Sequence, residues 1–191
     1  MNMNRFPTVV LAAVAAAALA ACAGKPPAAP IANNAPEWVN KGSGAFKDTA
    51  GKQVFYGVGI MQGVRNRALA VTGADDRGRA EIAKIMNSYI TTLTKDYMAS
   101  VTAGDMSKSS EEQMVSSTMK NFAKFTLHGA LPVDHWKDPS DGTLFALVKL
   151  DMAAVQQSLN ESKELDSKVR DYVKANAEKA FDELSAEEAK H

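Results

Sequence analysis

Cysteine, histidine and aromatic residues are scarce in this chain, which has one cysteine, three histidines and 7% aromatics among 191 residues. A lone cysteine, Cys22, closes no internal disulfide, which excludes a disulfide-stapled scaffold. His128, His135 and His191 stand in no HxH, HExxH or Cys/His spacing, so no built-in metal site is expected. Charge of one sign is missing too, since 22 basic residues face 22 acidic ones. Without a broad cationic field, nucleic acid is not an expected partner.

What is present begins at the N-terminus. Arg5 precedes an apolar, alanine-rich run over residues 9–21 that contains no acidic residue. Such a run has the length of a secretory signal core and is too short for a bilayer-crossing helix of about 20 residues. It ends at Leu19-Ala20-Ala21-Cys22, which resembles the lipobox of bacterial lipoproteins. The expected cut falls between Ala21 and Cys22, with a diacylglyceryl group on the Cys22 thiol. Lipidation also accounts for one cysteine being kept where no disulfide partner exists. Several acyl chains on one residue anchor firmly, because each buried methylene contributes about 0.8 kcal/mol. Ala23 follows, rather than the aspartate that commonly retains a lipoprotein in the inner membrane, and the expectation is therefore outer-membrane attachment. Residues 22–36 read as the lipidated cysteine and a Pro/Ala-rich tether. Residues 37–160 are the expected folded domain and residues 161–191 a C-terminal helix whose last part, from Ser185, is polar and expected to fray.

Gly57, Gly59 and Gly63 follow a short β-branched and aromatic stretch and precede a helical pattern, superficially as in a dinucleotide-binding turn. That motif needs an acidic residue at the end of a second strand about 20 residues on. Glu81 has the offset but lies within helical sequence, so the glycines are read instead as places of close packing and a sharp exit. Val54, Phe55, Tyr56 and Val58 then form a strand.

Ala68, Val71, Ala74, Ile82, Ile85, Met86 and Tyr89 recur at helical spacing and predict a helix over residues 65–87. Gly73 and Gly78 each weaken it by about 1 kcal/mol unless something packs closely there. The threonine-rich and aromatic residues 88–102 predict a second strand, although a continued helix also fits Ile82, Met86, Tyr89 and Leu93. A short helix follows over residues 110–123. Strands are expected over residues 125–136 and 143–151, joined by a turn at 138–142, with Pro132 marking an edge or bulge. Val169, Val173, Ala177, Phe181 and Leu184 form one stripe of a final helix over residues 152–184. The sum is an α+β fold, a two-layer arrangement of helices on an antiparallel sheet with a long C-terminal helix.

Pro36-Glu37-Trp38-Val39, Phe55-Tyr56-Gly57-Val58-Gly59, Arg79-Ala80-Glu81-Ile82-Ala83, the stretch from Gly129 to Trp136, and Leu144-Phe145-Ala146-Leu147-Val148-Lys149-Leu150-Asp151 occur in this order behind the lipobox. Together they resemble the Lpp-twenty family of bacterial outer-membrane lipoproteins over roughly residues 36–160. The resemblance implies a dodecin-like helix-on-sheet domain, with flagellum-associated envelope lipoproteins among its relatives. It supplies no catalytic residues to carry over.

The residues themselves name no catalytic set. Asp134 and His135 are adjacent in a strand and point to opposite faces, which makes Trp136 a packing residue and His135 a surface one. Asp75-Asp76 and Glu111-Glu112 read as solvated helix-end charges. Met106, Met114 and Met119 are too dispersed for a thioether site and serve as core filler. Tyr56, Tyr89, Tyr97 and Trp38 are expected in packing. The function expected is a non-enzymatic, membrane-anchored lipoprotein without cofactor, facing the periplasm or cell surface. Its partners would be the membrane through the lipid anchor, and envelope proteins or copies of itself. The competing expectation is a periplasmic small-ligand-binding module, with aromatics around Gly57 to Gly63 forming the pocket.

Overall fold

The computed structural model describes residues 34–101, 109–162 and 166–190. Ala21, Cys22 and most of the expected tether lie outside them. Four strands, β1 (Gly44–Lys47), β2 (Gln53–Met61), β3 (Leu131–Lys137) and β4 (Leu144–Asp151), build one antiparallel sheet in the order β1-β2-β4-β3. Central pairing sets Phe55 opposite Leu150, Gly57 opposite Val148 and Gly59 opposite Ala146. Because strand side chains alternate, these residues share one face, while Tyr56, Val58, Phe145 and Leu147 belong to the other.

The first face carries the main core. Helices α2 (Arg67–Val101), α3 (Ser109–Thr126), α4 (Met152–Glu161) and α5 (Ser167–Glu188) bring apolar residues to it. Phe55, Val148 and Leu150 of the sheet are buried there with Ile82, Met86 and Leu93 of α2, Phe122 of α3, Leu159 of α4 and Phe181 of α5. Each such side chain contributes about 1.5–3 kcal/mol on burial. Phe55 meets Tyr89 and Phe181 edge-on, at ring separations of 5.5 and 5.0 Å. The second face carries a smaller cluster, in which Val39 of α1 (Glu37–Lys41) joins Val58, Phe145 and Leu147, with Trp38 and Trp136 packed around them.

The glycines answer for themselves in this packing. A Cβ on Gly57 would collide with the Gly78 carbonyl, and one on Gly59 with the Ala74 carbonyl. Gly78 in turn has Val148 where its own Cβ would go, with Val148 Cγ2 at 2.5 Å. Helix α2 thus lies backbone-against-backbone on β2, which the glycines on the strand side permit, with Gly78 opposite Gly57 and Ala74 opposite Gly59. Gly63, at φ +76°, makes the exit turn.

Several expectations are corrected. Residues 88–101 are not a strand but the continuation of α2. Tyr89, Ile90 and Leu93 continue the stripe begun by Ile82 and Met86, and this burial outweighs the strand preference of the threonines. Thr91 and Thr94 donate their hydroxyls to the Asn87 and Ile90 carbonyls at 2.7 and 2.8 Å, which accommodates them in the helix. The strand expected from residue 125 begins at Leu131, because α3 runs to Thr126 and a 3-10 turn occupies Leu127–Gly129. Thr126 is buried and donates to the Phe122 carbonyl at 2.9 Å, closing the helix one turn later than expected. Pro132 does sit in an edge strand, and the register shifts between Pro132 and Asp134. The single final helix is two, α4 and α5, with residues 163–165 outside the described set. Of the expected stripe, Val169, Val173, Ala177 and Phe181 are buried and Leu184 is partly buried against the same core. Ser185 onward stays helical to Glu188, whose carboxylate accepts the Ala45 amide at 2.6 Å. Strand β1 and helix α1 add to the elements that the residue pattern predicts.

Candidate functional site

The site begins where β2 leaves the sheet. After Met61 the chain turns at Gly63 and enters α2 at Arg67, with Asn66 as the capping residue. The Asn66 side-chain oxygen accepts the Leu69 amide at 3.1 Å and its carbonyl accepts the Ala70 amide at 2.9 Å. Between this corner and the ends of β3 and β4 lies a cleft of about 530 Å³. Met61, Val64, Val71 and Leu144 give it apolar walls. Arg65, Arg67 and Lys137 stand around it as exposed cations.

No acidic side chain among the described residues pairs with these three. Asp141 is close in sequence to Lys137, but its two carboxylate oxygens accept from the Gln62 side chain at 3.0 Å and the Thr143 amide at 2.8 Å. His135 reaches the cleft from β3, and its Nε2 lies 2.6 Å from Asp75 of α2. Asp75 is therefore no solvated helix-end charge. It sits inside α2 and ties the edge strand to the helix.

Asp134 and His135 do point apart, as alternation requires. Asp134 accepts from the Trp38 indole at 3.0 Å on the second face, while His135 turns to α2 on the first. Trp136 packs on Phe145 at 5.4 Å between ring centres. The His135 imidazole is therefore oriented by Asp75 of α2 and not by its sequence neighbour Asp134.

The aromatics are not at the corner. Tyr89 is buried in the main core and donates its hydroxyl to the Ala177 carbonyl at 2.9 Å, and burial pushes its phenol pKa well up. Tyr97 packs on Tyr172 at 5.2 Å, and Tyr56 on Phe46 at 5.8 Å. Trp38 belongs to the second face. Met119 is buried as core filler, whereas Met106 lies outside the described residues. Among the described residues no group of three or more His, Cys, Asp or Glu could hold a metal ion.

A second polar cluster is structural. Asp48 accepts the Lys52 and Ala50 amides, each at 2.9 Å, and chiefly the first of these holds its carboxyl below the usual range. Lys149 bridges Asp151 at 2.8 Å and Asp48 at 3.7 Å, and the hydrogen bond to Asp151 raises its pKa. These charges are mutually compensated, which distinguishes them from the cations of the cleft.

Arg65, Arg67 and Lys137 were missed in reading the residues, although a signal was there. The first turn of α2 has no acidic residue, where helices favour acids, and it has Arg67 instead. Among the described residues no helix is long and apolar enough to cross a membrane. No protein-family model, curated protein or solved structure matches this chain.

Proposed function

We propose that this protein is an outer-membrane lipoprotein, anchored by acyl chains on Cys22, whose α+β domain works by binding other envelope proteins or copies of itself rather than by catalysis. The observation that carries the reading is the N-terminal order: Arg5, an apolar run, Leu19-Ala20-Ala21-Cys22 and a Pro/Ala-rich segment, immediately ahead of the first described helix at Glu37. This is the arrangement of a cleaved signal, a lipid attachment point and a spacer. The resemblance to the Lpp-twenty family supports it, and a place in a flagellum-associated assembly is one specific form of it, resting on analogy. The exposed edge strand β3, with Leu131 60% and Val133 53% accessible, gives the domain apolar surface to offer a partner.

Crosslinking in intact envelopes, followed by pull-down and mass spectrometry beside a Cys22→Ser control, tests the proposal. Envelope assembly components enriched with the parent protein and lost with Cys22→Ser are the expected result. Recovery of the same proteins from the control, or of none, contradicts an anchored binding role.

A further inference from the structure

From the cleft at the β2–α2 corner we infer a ligand site for a small amphiphilic anion, an alkyl phosphate in chemical class. The inference concerns the described domain alone and holds whether or not Cys22 is acylated. Three observations converge on it. The first is charge: Arg65, Arg67 and Lys137 converge on one cleft in a chain of 22 basic and 22 acidic residues, and none has an acidic partner among the described residues. Lys149 shows the contrast at the other polar cluster, where Asp151 and Asp48 compensate it.

The second is local conflict. Two arginines flank Asn66 at the start of α2, and its first turn holds no acid. The positive end of a helix dipole disfavours cations by roughly 0.3–1 kcal/mol per charge. Departures of this kind from local preference are expected at functional or strained sites. A bound anion reverses the penalty. The third is shape: the cleft, about 530 Å³, has Met61, Val64, Val71 and Leu144 on its walls. That volume falls within the usual range for small-molecule sites, roughly 300–1,000 Å³.

Together these features read the ligand. The guanidinium groups of Arg65 and Arg67 present planar donor forks suited to phosphate oxygens. Lys137, from β3, adds a point charge on the opposite wall. An apolar arm of the ligand lies along Met61 and Leu144, out of water. His135, held to Asp75 at 2.6 Å, fixes β3 against α2 and so keeps the two charged walls in register.

The test is calorimetric titration of the protein as isolated from cells, with phosphatidylcholine nanodiscs present in the solution and protein-free discs subtracted, so that it runs on acylated and unacylated protein alike. Three probes are used: hexyl phosphate, inorganic phosphate and hexanol. Hexyl phosphate is expected to bind more tightly than either of the others. The combined Arg65→Gln and Arg67→Gln variant should weaken it by about tenfold, as two solvent-exposed charge contacts would. Lys137→Gln, on the other wall and away from α2, should weaken it in the same direction, so the test survives if the double variant fails to fold. Adding phosphatidylglycerol to the discs separates the possible sources: lost hexyl phosphate binding assigns the ligand to a lipid headgroup, and unchanged binding to a soluble molecule. Equal binding of inorganic phosphate, equal binding of hexanol, or parental affinity in folded variants would overturn the inference.

Discussion

Replacing Gly59 by alanine puts the helix-on-sheet contact under direct strain. The new Cβ would fall inside contact distance of the Ala74 carbonyl and 2.5 Å from the Gly78 nitrogen, both backbone atoms of α2. No rotamer change relieves such a clash, so α2 must lift from β2 and loosen the packing of Ile82 and Val148 below it. Overpacking costs about 1–3 kcal/mol in general, and rigid backbone on both sides places this case at about 3 kcal/mol. For a domain of this size that lowers Tm by roughly 6–12 °C. Gly73→Ala is the internal control, since its Cβ would meet Met61 Cε at 2.8 Å and Sδ at 3.1 Å, the far end of a flexible side chain. There the gain in helix propensity, about 1 kcal/mol, offsets the adjustment, and stability should be unchanged or slightly higher. Urea unfolding followed by far-UV circular dichroism measures both, with the midpoint shifting and the slope constant. A parental midpoint for Gly59→Ala, or equal losses in the two variants, would refute the close-contact account of these glycines.

Two further outcomes follow from buried polar contacts. Tyr89→Phe removes the hydroxyl bond that the Ala177 carbonyl accepts beside its helical amide and should cost about 1 kcal/mol near neutral pH. Because burial raises the Tyr89 pKa, the folded state holds this proton where the unfolded state releases it. The parent protein should therefore lose stability as pH rises above about 10, the ordinary tyrosine value, more steeply than Tyr89→Phe does. Chemical unfolding of both at a series of pH values checks it, and parallel profiles would contradict it. Glu188→Ala removes the acceptor of the Ala45 amide and should speed hydrogen exchange at Ala45 by about tenfold or more, with a smaller change at Phe55 in the sheet centre. Unaltered exchange at Ala45 would mean that the end of α5 does not hold β1.

How much of this was legible depended on whether one pattern acted alone. The stripe from Val169 to Phe181 and the β4 residues from Phe145 to Leu150 read correctly because burial and local preference agree there. Residues 88–101 misled because threonines favour strands, while Tyr89, Ile90 and Leu93 were already committed to the helix face begun by Ile82. Strand β1 is only four residues long, and its placement depends on pairing with β2 and on Glu188, which lies far away in sequence. No local pattern announces such an element. The packing role of Gly57 and Gly59 was inferred, but their partners Ala74 and Gly78 appear only once α2 is laid on the sheet. For the site, Arg65 and Arg67 were visible as basic residues at a helix start. Lys137 joins them through the fold, and so the cleft was out of reach of a linear reading.

The account rests most heavily on Cys22. Intact-mass analysis of the protein extracted from its own membranes, with fragmentation of the N-terminal peptide, examines that residue directly. The account predicts a chain that starts at Cys22 and carries diacylglyceryl and acyl groups on it. A chain that begins elsewhere, or an unmodified Cys22 thiol, would contradict it.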